Sequence, residues 1–254
     1  MSRCLLLPAL ILAVAFTGAA RADEPLGVIK GPNFEQAKAS ALAWLTENKA
    51  DAAALKQAED LWNPASERPL LDRVAETLLL GDADARSLIT MLRDPGSPTP
   101  QGVPEYLRDA KRSAFLRANL GLYFGRQLAA KKAYEETLDA IRLIRPEQVV
   151  DPASYYFFRA VAENKLRLRD EGLSSINRLV NSVQDVPERY TVVANLMKAE
   201  MEQWEKDDLG DIARRMHEIE DRLEIARGGP KTQQKQKEVL ALLDKKIKEL
   251  EDQC

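Results

Sequence analysis

Beyond Lys30 the apolar residues of this chain recur at intervals of three and four, and no stretch sustains the apolar/polar alternation of a half-buried strand. The pattern predicts an all-α protein. Phe34, Ala37, Ala41, Trp44 and Leu45 share one face of a helix over residues 34–48, after an extended lead through Lys30-Gly31-Pro32. A second helix, 51–62, opens at Asp51, a good N-capping residue, and stops at Asn63-Pro64. Two more are expected over 69–80 and 84–93, joined by Gly81-Asp82. Together the four make an N-terminal helical region, residues 33–93, of paired helices with short connections.

The prolines and glycines of residues 94–104 cannot propagate a helix, so this segment is a loop. It suits a surface loop within one domain as well as a boundary between two. Residues 105–206 carry longer helices, and two stretches overlay at a shift of 39 residues: Gly121, Ala133 and Ala140 fall on Ala160, Gly172 and Leu179. With Phe124, Ile176 and Pro146, these positions resemble those of the tetratricopeptide repeat, whose small residues let the two helices of a hairpin approach closely. Arg117 stands where the family has an early tryptophan, Thr137 replaces a large apolar residue, and the shift exceeds the family's period of about 34 residues.

The resemblance implies stacked antiparallel helical hairpins that bind another protein in a groove, with Arg117, Tyr123, Tyr156 and Arg159 as candidate groove residues. The clamp that some members place on a partner's terminal carboxylate is not implied, because Ala118, Leu122, Phe157 and Val161 occupy the positions of its Lys and Asn. Of the consecutive aromatics Tyr155, Tyr156, Phe157 and Phe158, two are expected in the core and one or two along a groove, since neighbours on a helix point in different directions.

Residues 207–252 carry the most regular pattern. Leu209, Ile212, Met216, Ile219, Leu223 and Ala226 are spaced 3, 4, 3, 4 and 3 apart, and Leu240, Leu243, Ile247 and Leu250 form a second seam beyond Gly228-Gly229-Pro230. A glycine in a left-handed cap followed by proline ends the first helix, so the seams predict an antiparallel, coiled-coil-like helical hairpin. With so few heptads the hairpin needs a further surface. Either the helix over 187–205, with Tyr190, Val193, Met197 and Trp204, or a second chain in a homo-oligomer would supply it.

The N-terminus sets the compartment. Arg3, an apolar run from Leu5 to Phe16 and the Ala20-Arg21-Ala22 site form a secretory signal peptide, residues 1–22, cut before Asp23. The run is shorter than the roughly 20 residues that span a bilayer, and no later stretch is as apolar. The expected product is secreted or periplasmic, with no integral membrane segment. Cleavage removes Arg3 and Arg21 and no acid, taking the net charge from −3 to −5. That interspersed acidic surface argues against nucleic acid as a partner. Cys254 becomes the only cysteine, so no intramolecular disulfide can form, and a bond between two chains is the one left open.

Candidate chemistry is sparse. His217, the only histidine, follows Met216 and so faces water on the hairpin; with Asp221 it offers two ligands where zinc takes about four. No phosphate loop, dinucleotide fingerprint or nucleophile-elbow serine occurs, so no catalytic residue, metal or cofactor is assigned. The function these features point to is that of a non-enzymatic interaction or scaffold protein whose partner is another exported protein. An envelope hydrolase with paired carboxylates in a helical cleft, and a structural protein self-associating through its hairpin and Cys254, are the alternatives.

Overall fold

Several helices begin where polar caps put them. A computed structural model of the protein describes residues 27–252 apart from Ser66, so the expected signal peptide and Cys254 lie outside the described residues. In α1 (Phe34–Glu47), Asn33 Oδ1 accepts from Gln36 N at 2.9 Å while Gln36 Oε1 accepts from Asn33 N at 3.0 Å, a reciprocal capping box. Asp51 caps α2 (Ala52–Leu61) through Ala54 N at 2.7 Å. Between α3 (Leu70–Gly81) and α4 (Ala83–Arg93) stands only Asp82, whose carboxylate caps α4 through Ala85 N. After residues 94–104, which form no helix, come α5 (Glu105–Arg108), α6 (Ala114–Ala130), α7 (Tyr134–Arg142) and a 3-10 turn at Pro146–Gln148. The remaining helices are α8 (Pro152–Lys165), α9 (Arg169–Ser182), α10 (Glu188–Glu202), α11 (Leu209–Glu224) and α12 (Pro230–Glu251). The fold is all-α; a single parallel bridge joins Ile29 to Val183.

Helix ends share one device. Lys49, Lys132, Arg167 and Ala226 take left-handed backbone angles, φ 56–60°. In each case the next residue's N–H reaches back five residues, as from Ala133 to Leu128 O at 2.9 Å and from Leu168 to Glu163 O at 2.8 Å. At the end of α11 this corrects the expected glycine cap. Ala226 takes the left-handed position, the helix stops before Gly228, and no described glycine has positive φ.

α1 packs on α3, α3 on α4 and α6, and from α6 to α10 each helix packs on the next. One hydrophobic cluster runs from Ala37 in α1 to Met201 in α10, with Val103 of the loop and Leu107 of α5 inside it, so the N-terminal and central regions share a core. The hairpins α6–α7 and α8–α9 repeat at 35 residues, the distance from Ala130 to Lys165 and from Tyr134 to Arg169, not at the 39 of the sequence overlay. Gly125, not Gly121, is therefore the counterpart of Ala160. A Cβ on Gly125 would sit 3.1 Å from Ile141 Cγ1, the close approach that demands a small residue. Gly121 and Gly125 lie one turn apart on the same face, so periodicity alone accepts either. Thr137 is tolerated in this core because its hydroxyl donates to Ala133 O, 2.9 Å away.

α11 and α12 form the expected antiparallel hairpin with a small core of their own, Ile212, Ile219 and Val239 backed by Leu242 and Leu243. Much of the predicted seam, however, faces solvent. α12 carries two apolar ridges offset by one residue: the ridge through Thr232, Val239 and Leu242 packs inward, and the neighbouring ridge through Leu240, Ile247 and Leu250 is exposed. The helix over 187–205 does not cover that ridge. It packs on α8 and α9 through Tyr190, Ala194 and Met201 and meets the hairpin mainly where Arg214 lies 4.8 Å from the Trp204 ring.

Ion pairs join the hairpin to the array. Lys132, at the α6–α7 turn, contacts Asp221 at 3.1 Å and Glu224 at 2.6 Å. Arg167, its counterpart at the α8–α9 turn, contacts Glu218 at 2.9 Å and Asp211 at 3.7 Å. From α7, Glu136 takes Arg227 at 2.5 Å and Glu135 takes Arg222 and Lys231 at 2.6 and 2.8 Å. Burial pushes the Glu135 carboxyl up, and hydrogen bonds from Lys231 and Arg222 more than reverse it, so it titrates below its ordinary value. Asp211 is lowered in the same way, its desolvation outweighed by Arg215. Both carboxylates therefore contribute stability that is present above the unfolded-state range near pH 4 and is lost as pH falls through their depressed values. Acidification from pH ~5 to ~2.5 should expose the amides of α11 to hydrogen exchange before those of α6 to α9. Equal loss of protection in both would contradict the ionic joint.

Candidate functional site: a cationic groove over α8

Of the four candidate groove residues, the structure brings Tyr156 and Arg159 together and places the other two elsewhere. Tyr123 is buried between α3, α4 and α6, its ring flanked by the guanidinium groups of Arg93 and Arg126 at 5.8 and 5.1 Å. Its hydroxyl accepts from Arg93 Nε at 3.1 Å, while Arg93 also pairs with Glu76 and Arg126 with Asp72. Such a tyrosine ties three helices together and has no face left for a ligand. Arg117 lies half-buried near the start of α6, its Nε donating to Arg112 O. The aromatic run divides as neighbouring helix positions must: Tyr155 and Tyr156 are buried, and Phe157 and Phe158 pack on Tyr190, Phe157 stacking at 4.1 Å and 8°. Only Tyr156 of the four reaches a groove.

That groove, about 620 Å³, runs over α8 between α9 and the 3-10 turn. α8 supplies Tyr156 and Arg159, one turn apart; α9 supplies Ser174, Ser175 and Arg178; the turn supplies Glu147; and the lead Gly27 to Lys30 forms the remaining wall. Arg159 is anchored from below. Its Nε donates to Glu163 Oε1 at 2.9 Å, and the other oxygen of this fully buried carboxylate accepts from Ser175 Oγ at 2.5 Å. Burial works against the charge on Arg159, and the bond to Glu163 outweighs it, holding the guanidinium above its ordinary pKa. Desolvation likewise raises the Tyr156 phenol, so it stays a neutral hydrogen-bonding group. Lys30 and Arg178 form no ion pair among the described residues, and with Arg159 they leave the lining net positive against Glu147.

The lead is held by one isolated parallel bridge. Ile29 N donates to Ser182 O at 2.7 Å and Gln184 N to Ile29 O at 2.9 Å, which pins the chain to the segment between α9 and α10. Its extended course is legible from Gly31-Pro32, but its docking is not, because α9 and the lead are far apart in sequence. Lys30, Arg178 and the buried Glu163 escape sequence reasoning for the same cause. A charged residue at a core-facing position of α8 is the one local signal that could have flagged Glu163.

Elsewhere, His217 lies exposed on α11 with Nδ1 3.1 Å from Glu220, and Asp221 points to Lys132 instead. Among the described residues no cluster of three His, Cys, Asp or Glu is placed to hold a metal, and no helix is long and apolar enough to cross a membrane. No family model, curated protein or solved structure matches the chain.

Proposed function

We propose that this is a non-enzymatic exported interaction protein whose groove over α8 takes an extended, acidic peptide segment of another exported protein. The observation that carries the reading is the lead itself, a segment held by one parallel bridge and forming one wall of a net-positive groove. In an extended chain the peptide groups of alternate residues point to opposite edges. Those of Ile29 are taken by Ser182 and Gln184; those of Val28 and Lys30 face the other way and make no backbone hydrogen bond among the described residues. An incoming strand can pair with that open edge while its acids meet Lys30, Arg159 and Arg178, the division of labour in which backbone bonds give affinity and side chains give specificity. Support for a tetratricopeptide-like array comes from the 35-residue repeat of its helix ends, close to the family's period of about 34, and from the small, buried Gly125 and Ala160 that fall 35 residues apart.

The test is fluorescence anisotropy with a labelled peptide of alternating Glu and Val. Binding should weaken by at least ~10-fold for Arg178→Glu and for Val28→Pro, the second removing an edge N–H without touching the Ile29 pairing. A peptide of alternating Lys and Val should not bind. Equal affinity for both peptides, indifference to both substitutions, or no binding at ~1 mM would overturn the reading.

A further inference from the structure

Leu209, Met216, Leu223, Leu240, Ile247 and Leu250 are each 46–71% exposed, although they belong to the two most regular apolar patterns in the chain. On α11 they recur at every seventh residue, and on antiparallel α12 they run back alongside; Met216, Leu223 and Leu240 border an apolar groove of about 660 Å³ floored by Ile219 and Val239. We propose that this face binds a second copy of the chain, the two hairpins closing into a four-helix bundle with α11 of each protomer against α12 of the other.

Charge selects that occupant and that pairing. α11 carries three Lys or Arg against five Asp or Glu, and α12 six against four, so the helices have net charges of −2 and +2. A twofold bundle that sets α11 against the partner's α12 pairs opposite signs twice, whereas α11 on α11 would repel. Lys237 and Lys248 beside the exposed ridge form no ion pair among the described residues, while Glu220 and Glu224 rim the groove. Area agrees: six such side chains at roughly 100 Å² each offer about 600 Å² per protomer, most of the ~800 Å² that each partner contributes to a standard interface. The face is also accessible, since most residues docking α11 to the array, Asp211, Glu218, Asp221 and Arg222, lie on the other side of the helix, and only Glu224 borders both the groove and the joint.

Light scattering coupled to size exclusion on the secreted protein, with reductant present so that Cys254 cannot cross-link chains, should give twice the protomer mass. Leu240→Glu with Ile247→Glu should give a monomer of unchanged helicity, and Lys237→Glu with Lys248→Glu should raise the dissociation constant by at least ~10-fold. A wild-type monomer at ~100 μM, or a dimer that survives L240E/I247E, would overturn the proposal and hand the face to a partner of other chemistry or to none. Neither outcome bears on peptide binding over α8.

Discussion

Truncating Trp62 to alanine lowers the free energy of unfolding by about 4 kcal/mol. Its indole is fully buried, meets the Phe34 ring edge-on at 5.6 Å, and donates from Nε1 to Thr77 Oγ1 at 3.0 Å. Loss of a buried tryptophan costs about 3–5 kcal/mol in transfer and cavity terms. The orphaned hydroxyl adds little, because Thr77 also donates to Arg73 O at 2.9 Å. The neighbourhood resists collapse: the buried Arg73 is fixed above Phe34 at 5.2 Å by hydrogen bonds to the carbonyls of Leu61, Asn63 and Arg68. Partial relaxation is thereby blocked, which places the cost in the upper part of the range. Urea unfolding followed by far-UV circular dichroism measures it, with Trp62→Phe expected to lose less than half as much. A loss below ~1 kcal/mol for Trp62→Ala would mean that α1, α2 and α3 form no cooperative core.

Trp62 also marks where sequence stops being informative. The Asp51 cap and the Asn63-Pro64 stop put it at the end of a helix over 51–62, and the helix is there, ending one residue earlier at Leu61. Nothing in the pattern distinguished it as the centre of a packing cluster, because it sits beyond the helical face and its partners Phe34 and Thr77 come from two other helices. The same limit recurs at the groove. Tyr156 and Arg159 were legible as polar and aromatic residues on the first helix of the second hairpin; Arg178, Ser175 and the lead join them only through tertiary contact. Local signals such as caps and helix stops transferred well, since a cap involves residues three apart. Repeat register did not, because Gly121 and Gly125 satisfy the same local rule and only packing against Ile141 separates them. On α12 the sequence showed a genuine apolar seam and assigned it to the hairpin interior, because one-dimensional spacing cannot tell which of two adjacent ridges faces the partner helix.

Reversing both cations at the hairpin turns, Lys132→Glu with Arg167→Glu, releases the α11–α12 hairpin from the array while leaving each folded. These residues occupy equivalent left-handed positions in the two hairpins and grip α11 at two places, Asp221 with Glu224 and Glu218 with Asp211. The partly exposed Lys132 grip is worth only about 0–1 kcal/mol and its loss alone would be absorbed, whereas Arg167 holds the buried carboxylates of Glu218 and Asp211. Reversal does more, because it sets two glutamates against four carboxylates already on α11, while the apolar contact of this part of the hairpin with the array's core is that of the half-buried Ile225, just past α11. The pairs of α7, Glu136 with Arg227 and Glu135 with Arg222 and Lys231, remain as a tether at the other end of the hairpin, so the hairpin swings without detaching. The expected readouts are a larger radius of gyration in small-angle scattering and loss of hydrogen-exchange protection where α7 faces α11, with the unfolding midpoint of the array unchanged. Wild-type protein in ~1 M salt, where the screening length is about 3 Å, should move part of the way, since only the exposed pairs are screened. Because the dimer face lies across α11 from all of the joint but Glu224, the reversed protein should keep its dimer mass as its envelope expands. An unchanged scattering curve would show that the joint is held by packing rather than by charge.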